Sequence, residues 1–267
     1  MLRRQLLFAV PMVALSGVAR TSWADISDAR LARVVAGPSR SPKNLARDPS
    51  RHPLATLTFW GLKPEMTVVE IEPAGGYWTE ILAPYLKLTG GRYIAAVGGD
   101  VDAFRTKYAD RALWGDITVV AFDRGPLATP GTADMVITAR NIHDWMWTLG
   151  KLDRALGDFH VVLKSGGILA VEEHRADPRP MVPAARDGYV ATSWLVDAVE
   201  KRGFTLVAQS EINANPKDTK NHPFGVWTLP PTLRSSSKNQ PAPAGYDAAK
   251  YAAIGESDRM TLRFRKA

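Results

Sequence analysis

Val68-Val69-Glu70-Ile71-Glu72-Pro73-Ala74-Gly75-Gly76-Tyr77-Trp78-Thr79 is the stretch that decides how this chain is organised. Thr67 to Ile71 is a short β-branched run, the mark of a parallel strand buried on both faces. Pro73 to Gly76 turns the chain, and Tyr77 to Leu86 carries Trp78, Ile81, Leu82 and Tyr85 at helical spacing. A strand, a small-residue turn and a helix open a doubly wound sheet, whose ligands bind beyond the carboxyl ends of the strands. The turn lets backbone approach a ligand, and the helix start offers free N–H groups.

The same unit repeats downstream. Strands are predicted at Arg92 to Val97, Ile117 to Phe122, Asp134 to Thr138, Ile168 to Glu172 and Phe204 to Ile212. Helices are predicted at Val101 to Tyr108, Trp147 to Leu163 and Ser193 to Arg202. Upstream, Leu54, Leu57, Thr58 and Trp60 form a helix face that ends at Gly61. Met260 to Arg265 alternates strictly, which marks a half-exposed strand and suggests an antiparallel addition. The fold class is therefore α/β: a doubly wound, mostly parallel, seven-stranded sheet with an antiparallel last strand. Residues 25–53, rich in Pro, form a lead-in with one or two short helices. Residues 213–258, rich in Pro, Asn, Ser and Lys, are a long insertion before the last strand.

Composition narrows the classes. The chain has 267 residues, 45% hydrophobic and 23% charged, which matches a globular protein with a sizeable core. It has no cysteine, so disulfides, thiolate metal sites and cysteine nucleophiles are excluded. Arg3 and Arg4, an apolar stretch from Leu6 to Val18 and Ser22-Trp23-Ala24 read as a signal peptide over residues 1–24, cleaved after Ala24. The product is expected in the periplasm or outside the cell, and the paired arginines also suit twin-arginine export. A membrane anchor is the rival, but Pro11 and Gly17 break the apolar run. Subtracting the three arginines of this segment from the net +7 leaves +4, weak grounds for nucleic-acid binding.

The decisive stretch resembles motif I of the class I S-adenosylmethionine-dependent methyltransferases: apolar, apolar, acid, apolar, then Gly-x-Gly-x-Gly. Glu70 falls on the acid, Ala74 on the second glycine and Gly76 on the third, while Glu72 replaces the first. A carboxylate there is tolerable near a sulfonium and unfavourable near a pyrophosphate, which argues against a dinucleotide. Asp100 follows the second strand, where the family grips the ribose, and Asp123 follows the third, near the adenine. Leu163-Lys164-Ser165-Gly166-Gly167-Ile168-Leu169 resembles the family's turn into strand five. The resemblance spans about Leu54 to Ile212. It implies S-adenosylmethionine as cofactor, held by Glu70, Glu72, Gly75, Gly76, Asp100, Asp123 and Asn141. A narrower resemblance, to exported bacterial methyltransferase-like proteins of unassigned reaction, rests on three segments. They are Asn141 to Trp145, Val171 to Arg175 and Ser210 to Asp218.

The polar residues after strands four and five are the candidates for chemistry. His143, Asp144 and His174 would be catalytic, a histidine taking the proton of a nucleophile as methyl leaves sulfur. The alternative is that both histidines only hydrogen-bond loop backbone. No histidine pair shares a helix face, so no metal site is expected. Trp145 and Trp147 either wall a substrate pocket or pack in the core, and Asn213 to Asp218 is either a lid or a capped loop. Asn141-Ile142-His143-Asp144 is not the Asn/Asp-Pro-Pro-aromatic motif that holds a flipped base, so nucleic acid is not expected as substrate. Two functions follow: a methyltransferase for a small molecule, or a binding protein that kept the fold without turnover.

Overall fold

The computed structural model describes residues 28–180 and 185–267, so the signal segment expected over 1–24 and its cleavage point lie outside the described residues. The lead-in forms α1 (Ala29–Val35), α2 (Pro42–Leu45) and α3 (Asp48–Arg51), one short helix more than expected, and α4 is Pro53–Trp60. Then come β1 (Thr67–Ile71), α5 (Thr79–Thr89), β2 (Arg92–Val97), α6 (Val101–Lys107), α7 (Arg111–Trp114) and β3 (Ile117–Ala121). The second half holds β4 (Ala133–Ala139), α8 (Ile142–Trp145), α9 (Lys151–Val162), β5 (Leu163–His174), α10 (Thr192–Glu200), β6 (Phe204–Ser210), α11 (Ala248–Ile254) and β7 (Arg259–Lys266). Among the described residues, no helix is long and apolar enough to cross a membrane.

One sheet carries all seven strands in the order β3-β2-β1-β4-β5-β7-β6. β7 is antiparallel to both of its neighbours and the other pairs are parallel, as the alternating pattern of its sequence suggested. The order reverses between β1 and β4, which opens a crevice at their carboxyl ends.

Strand side chains alternate between faces, and β1 shows what this does. Val69 and Ile71 enter one apolar layer with Phe159, Leu195 and Phe264, while Val68 enters the other with Trp60, Trp78 and Ile81. Glu70 shares the face of Val68, so a carboxylate is carried into a layer of helices. Burying each large apolar side chain of these layers contributes about 1.5–3 kcal/mol.

The boundary shifts that bear on the site fall around β4 and β5. α9 begins at Lys151 rather than Trp147, because Gly150 takes a left-handed φ of 75° and caps it. The residues before it form a separate one-turn helix, α8. β5 runs through His174, so Glu173 and His174 lie within the strand rather than after it, paired with Met260 and Arg259 of β7.

The insertion is anchored at both ends. Asn213 Nδ2 donates to Thr56 Oγ1 and Thr261 Oγ1, both at 3.0 Å. Asp218 accepts from the Tyr189 hydroxyl at 2.9 Å and from the Asp258 N–H at 2.8 Å. Asn213 to Asp218 is therefore a bonded anchor, and the part of the insertion that covers the crevice is Val226 to Thr232.

Candidate active site

The loop after β1 holds two residues other than glycine in a left-handed backbone conformation. Glu72 and Ala74, at the first two glycine positions, have φ of 45° and 46°, in the left-handed region that glycine enters freely. Strain of this kind is held where the surroundings fix it, commonly at functional sites. Gly76 has φ 83°, and a Cβ there would collide with the Tyr108 hydroxyl, whereas Gly75 faces open space.

Glu72 is tied down. Its carboxylate accepts from Trp145 Nε1 at 2.5 Å, lies 3.8 Å from Lys151 Nζ, and covers Gly98, where an added Cβ would collide with it. Burial raises its pKa, against the Trp145 bond and Lys151. Glu70 is buried more fully and accepts from the Tyr93 hydroxyl at 2.5 Å and the Thr79 hydroxyl at 3.0 Å. Burial pushes its pKa up to about 7 despite both donors.

Two cavities meet at this loop. One of about 330 Å³ lies between β1, the loop after β4 and the insertion, bordered by Glu70, Gly75, His143, His174 and Trp227. The other, about 430 Å³, lies over the end of β2 and is bordered by Gly98, Asp100 and Phe104. Glu72, Pro73, Ala74, Asn141 and Asp144 border both, so a continuous groove crosses the ends of β2, β1 and β4. Asn141 fixes its middle by donating from Nδ2 to the Ile71 carbonyl at 2.9 Å.

Asp100 sits on the rim and caps α6, its Oδ1 accepting from the N–H groups of Asp102 at 3.0 Å and Ala103 at 2.9 Å. Asp123 lies off the groove, in ion pairs with Lys151 at 3.1 Å and Arg154 at 3.3 Å. Trp145 is fully buried against Phe122 and Phe159, and Trp147 lies beside Trp227; the tryptophans that border the first cavity are Trp78 and Trp227.

The two histidines stand close together. β4 and β5 are neighbours, and the His143 and His174 rings stand 5.1 Å apart. Glu173, within the Val171 to Arg175 segment, lies between them. Its Oε2 accepts from the N–H of Ile142 at 2.8 Å and of His143 at 3.2 Å, and its Oε1 from the N–H of His174 at 2.8 Å. The same Oε1 lies 2.9 Å from His143 Nδ1, which fixes the proton on Nδ1 and leaves Nε2 as the basic nitrogen. Burial lowers the His143 pKa, but the Glu173 charge and hydrogen bond overcome it, so the group is raised. Asp144 Oδ1 lies 3.5 Å from His143 Nε2.

His174 goes the other way. Burial, then the charges of His143, Arg140, Arg259 and Arg51, press its pKa well below the usual value, and its Nδ1 lies 2.5 Å from Ser257 Oγ. It is held neutral and serves as a hydrogen-bonding wall. His143, Glu173 and His174 place one ligand atom each within 4.8 Å of one another, a convergence that helix-face spacing could not reveal. A cation suits the cluster poorly, because four N–H groups already claim Glu173 and the arginines make the surroundings positive.

No family model matches the sequence, and the search of curated proteins found no match. The chain has the fold of the class I S-adenosylmethionine-dependent methyltransferases. It superposes on such an enzyme from Aquifex aeolicus with TM-score 0.52 and 19% identity, over 68% of this chain and 93% of that one. It also matches the [4+2]-cyclase SpnF, with TM-score 0.58 and 15% identity over 88% and 92% of the two chains. A third match is the Burkholderia thailandensis 1,6-didemethyltoxoflavin N1-methyltransferase, solved with its acceptor and S-adenosylhomocysteine. There the TM-score is 0.51 and the identity 12%, over 92% of this chain and 80% of that one. At these identities the likeness is one of fold, and function has to be argued from the site.

Proposed function

We propose that this protein is an S-adenosylmethionine-dependent methyltransferase acting on a small molecule outside the cytoplasm. The observation that carries this reading is the groove over β2, β1 and β4, with the left-handed turn of Glu72 and Ala74 at its centre and the Glu173-oriented His143 at one end.

The donor would lie across the turn, its adenosine over Gly98 beside Asp100 and its methionine toward Gly75 and Glu70. Glu72 would then face the ribose together with Asp100. The acidic groups Glu70, Glu72 and Asp144 suit a sulfonium, which supplies an electrophilic methyl when bound. The acceptor enters beneath Trp227, and His143 Nε2 takes its proton as the nucleophile attacks. Positioning supplies much of the rate in such a displacement, and the base adds about 10²–10⁴-fold. The export assignment rests on residues 1–24 and on the resemblance to exported relatives.

A second reading, a binding protein without turnover, is favoured by the ion pairs of Asp123. Lys151 and Arg154 engage it, so it is not free to hold an adenine amine. The two readings part on transfer of tritiated methyl from the donor to a small-molecule extract. The first predicts labelled product that falls by about 10²–10⁴-fold in His143→Ala. Donor binding with no label transferred would favour the second.

A further inference from the structure

Three guanidinium groups share two carboxylates at the side of the main cavity nearest α3, and a fourth, Arg140, stands beside them. Glu256 Oε1 accepts from Arg47 Nε at 2.6 Å, and its Oε2 accepts from Arg51 Nε at 3.0 Å and lies 3.1 Å from Arg259 Nη1. Glu172 accepts from Arg259 Nη1 at 2.6 Å. Arg140, with a strained φ of 62° just after β4, makes no ion pair among the described residues. The group therefore carries two positive charges more than its own acids neutralise.

The surplus borders the cavity. Arg51 is fully buried, and neither its Nη1 nor its Nη2 has a hydrogen-bond partner; Arg140 Nε and Arg47 Nη2 are also buried without one. All three arginines border the cavity. Burial and the nearby Arg140 lower the Arg51 pKa to about 9, while Glu256 is held down at about 2, burial being overcome by Arg51 and Arg259. An acid stabilised this strongly, in a cluster of four guanidinium groups and two carboxylates, marks a place short of negative charge. The other acids bordering the cavity are Glu70 on β1, Glu72 on the loop after it and Asp144 in α8. Trp227, Pro230 and Pro231 add flat apolar groups to the border of the same cavity.

We infer that the arginine end of this cavity binds an oxyanion, the carboxylate or phosphate of a small molecule whose body packs against Trp227 and the two prolines, with Arg51 and Arg140 as its donors. A guanidinium fork matches either group through paired hydrogen bonds. The oxyanion site stands on the cavity alone, and the identification of its occupant as the methyl acceptor rests on the function proposed above.

Calorimetry of the purified protein with benzoate, phenyl phosphate and the neutral benzamide tests it. One of the two anions should bind with a Kd of about 1 mM or tighter, and benzamide about tenfold more weakly or not at all. Arg140→Met and Arg51→Lys should each weaken the anion by about tenfold or more while circular dichroism shows the fold retained. Arg140 lies on a loop, so its variant keeps the test valid if Arg51→Lys fails to fold. No binding of either anion to folded wild-type protein would overturn the inference. So would equal binding of benzamide and benzoate, or an Arg140→Met variant that loses S-adenosylmethionine affinity while holding the anion unchanged. Anion binding without any S-adenosylmethionine binding would keep the site and remove the proposed function.

Discussion

At the scale of single residues, Glu173 decides what the two histidines can do. Its charge lifts the pKa of His143 against burial, and no carboxylate does the same for His174, which stays neutral. Removing that charge should therefore lower the His143 pKa. In Glu173→Gln, the NMR titration of the His143 ring should move to lower pH. In activity, the acid limb of the pH–rate profile would shift the same way. An unmoved titration would mean that Glu173 only anchors the loop. The sequence made His143 and His174 visible as histidines at strand ends, but the pairing that distinguishes them needed the register of β5 beside β4.

At the scale of elements, the turn after β1 and the cap of α6 are the parts whose chemistry departs from their sequence pattern. The fold of the turn was legible although two of its glycines are missing, because strand, small residues and helix remain in order. What could not be read is that Glu72 and Ala74 adopt the glycine conformation, at a cost of about 1–2 kcal/mol each. Ala74→Gly removes one strained residue and adds freedom to the unfolded chain, so a net gain of about 0.5–1 kcal/mol is expected in urea unfolding. A loss would mean that the Ala74 side chain contributes packing beyond its strain. Asp100 carries two duties. Asp100→Ala should cost about 0.5–2 kcal/mol of stability through the lost cap of α6. It should also weaken donor binding about ten- to a hundredfold through lost charge-assisted hydrogen bonds. Stability falling with unchanged donor affinity would leave Asp100 as a cap alone.

At the scale of the whole molecule, the seven strands were readable one at a time, since each announces itself within a few residues. The arginine cluster was not, because it is assembled from the lead-in, the loop after β4 and the far end of the insertion. Arg47 and Glu256 are 209 residues apart in the chain, and no local pattern links them. That cluster also sets an acid limit on stability. Glu256 has a folded pKa of about 2 against an ordinary 4.5, so the unfolded chain binds the extra proton. Its contribution is full above about pH 4.5 and is lost as pH falls through about 2, to the extent of about 3 kcal/mol. Urea unfolding across this range should show the decline, and Glu256→Gln should flatten it while lowering stability at neutral pH. An equally steep decline in the variant would place the acid sensitivity elsewhere.

The central claim is that the groove over β1, β2 and β4 holds a methyl donor despite Glu72 and Ala74 in its turn. Calorimetry of the folded protein, freed of residues 1–24, with S-adenosylmethionine and with its demethylated product addresses it directly. The account predicts saturable one-to-one binding of both compounds, weakened in Asp100→Ala and nearly unchanged in His143→Ala. Folded protein that binds neither compound would contradict it.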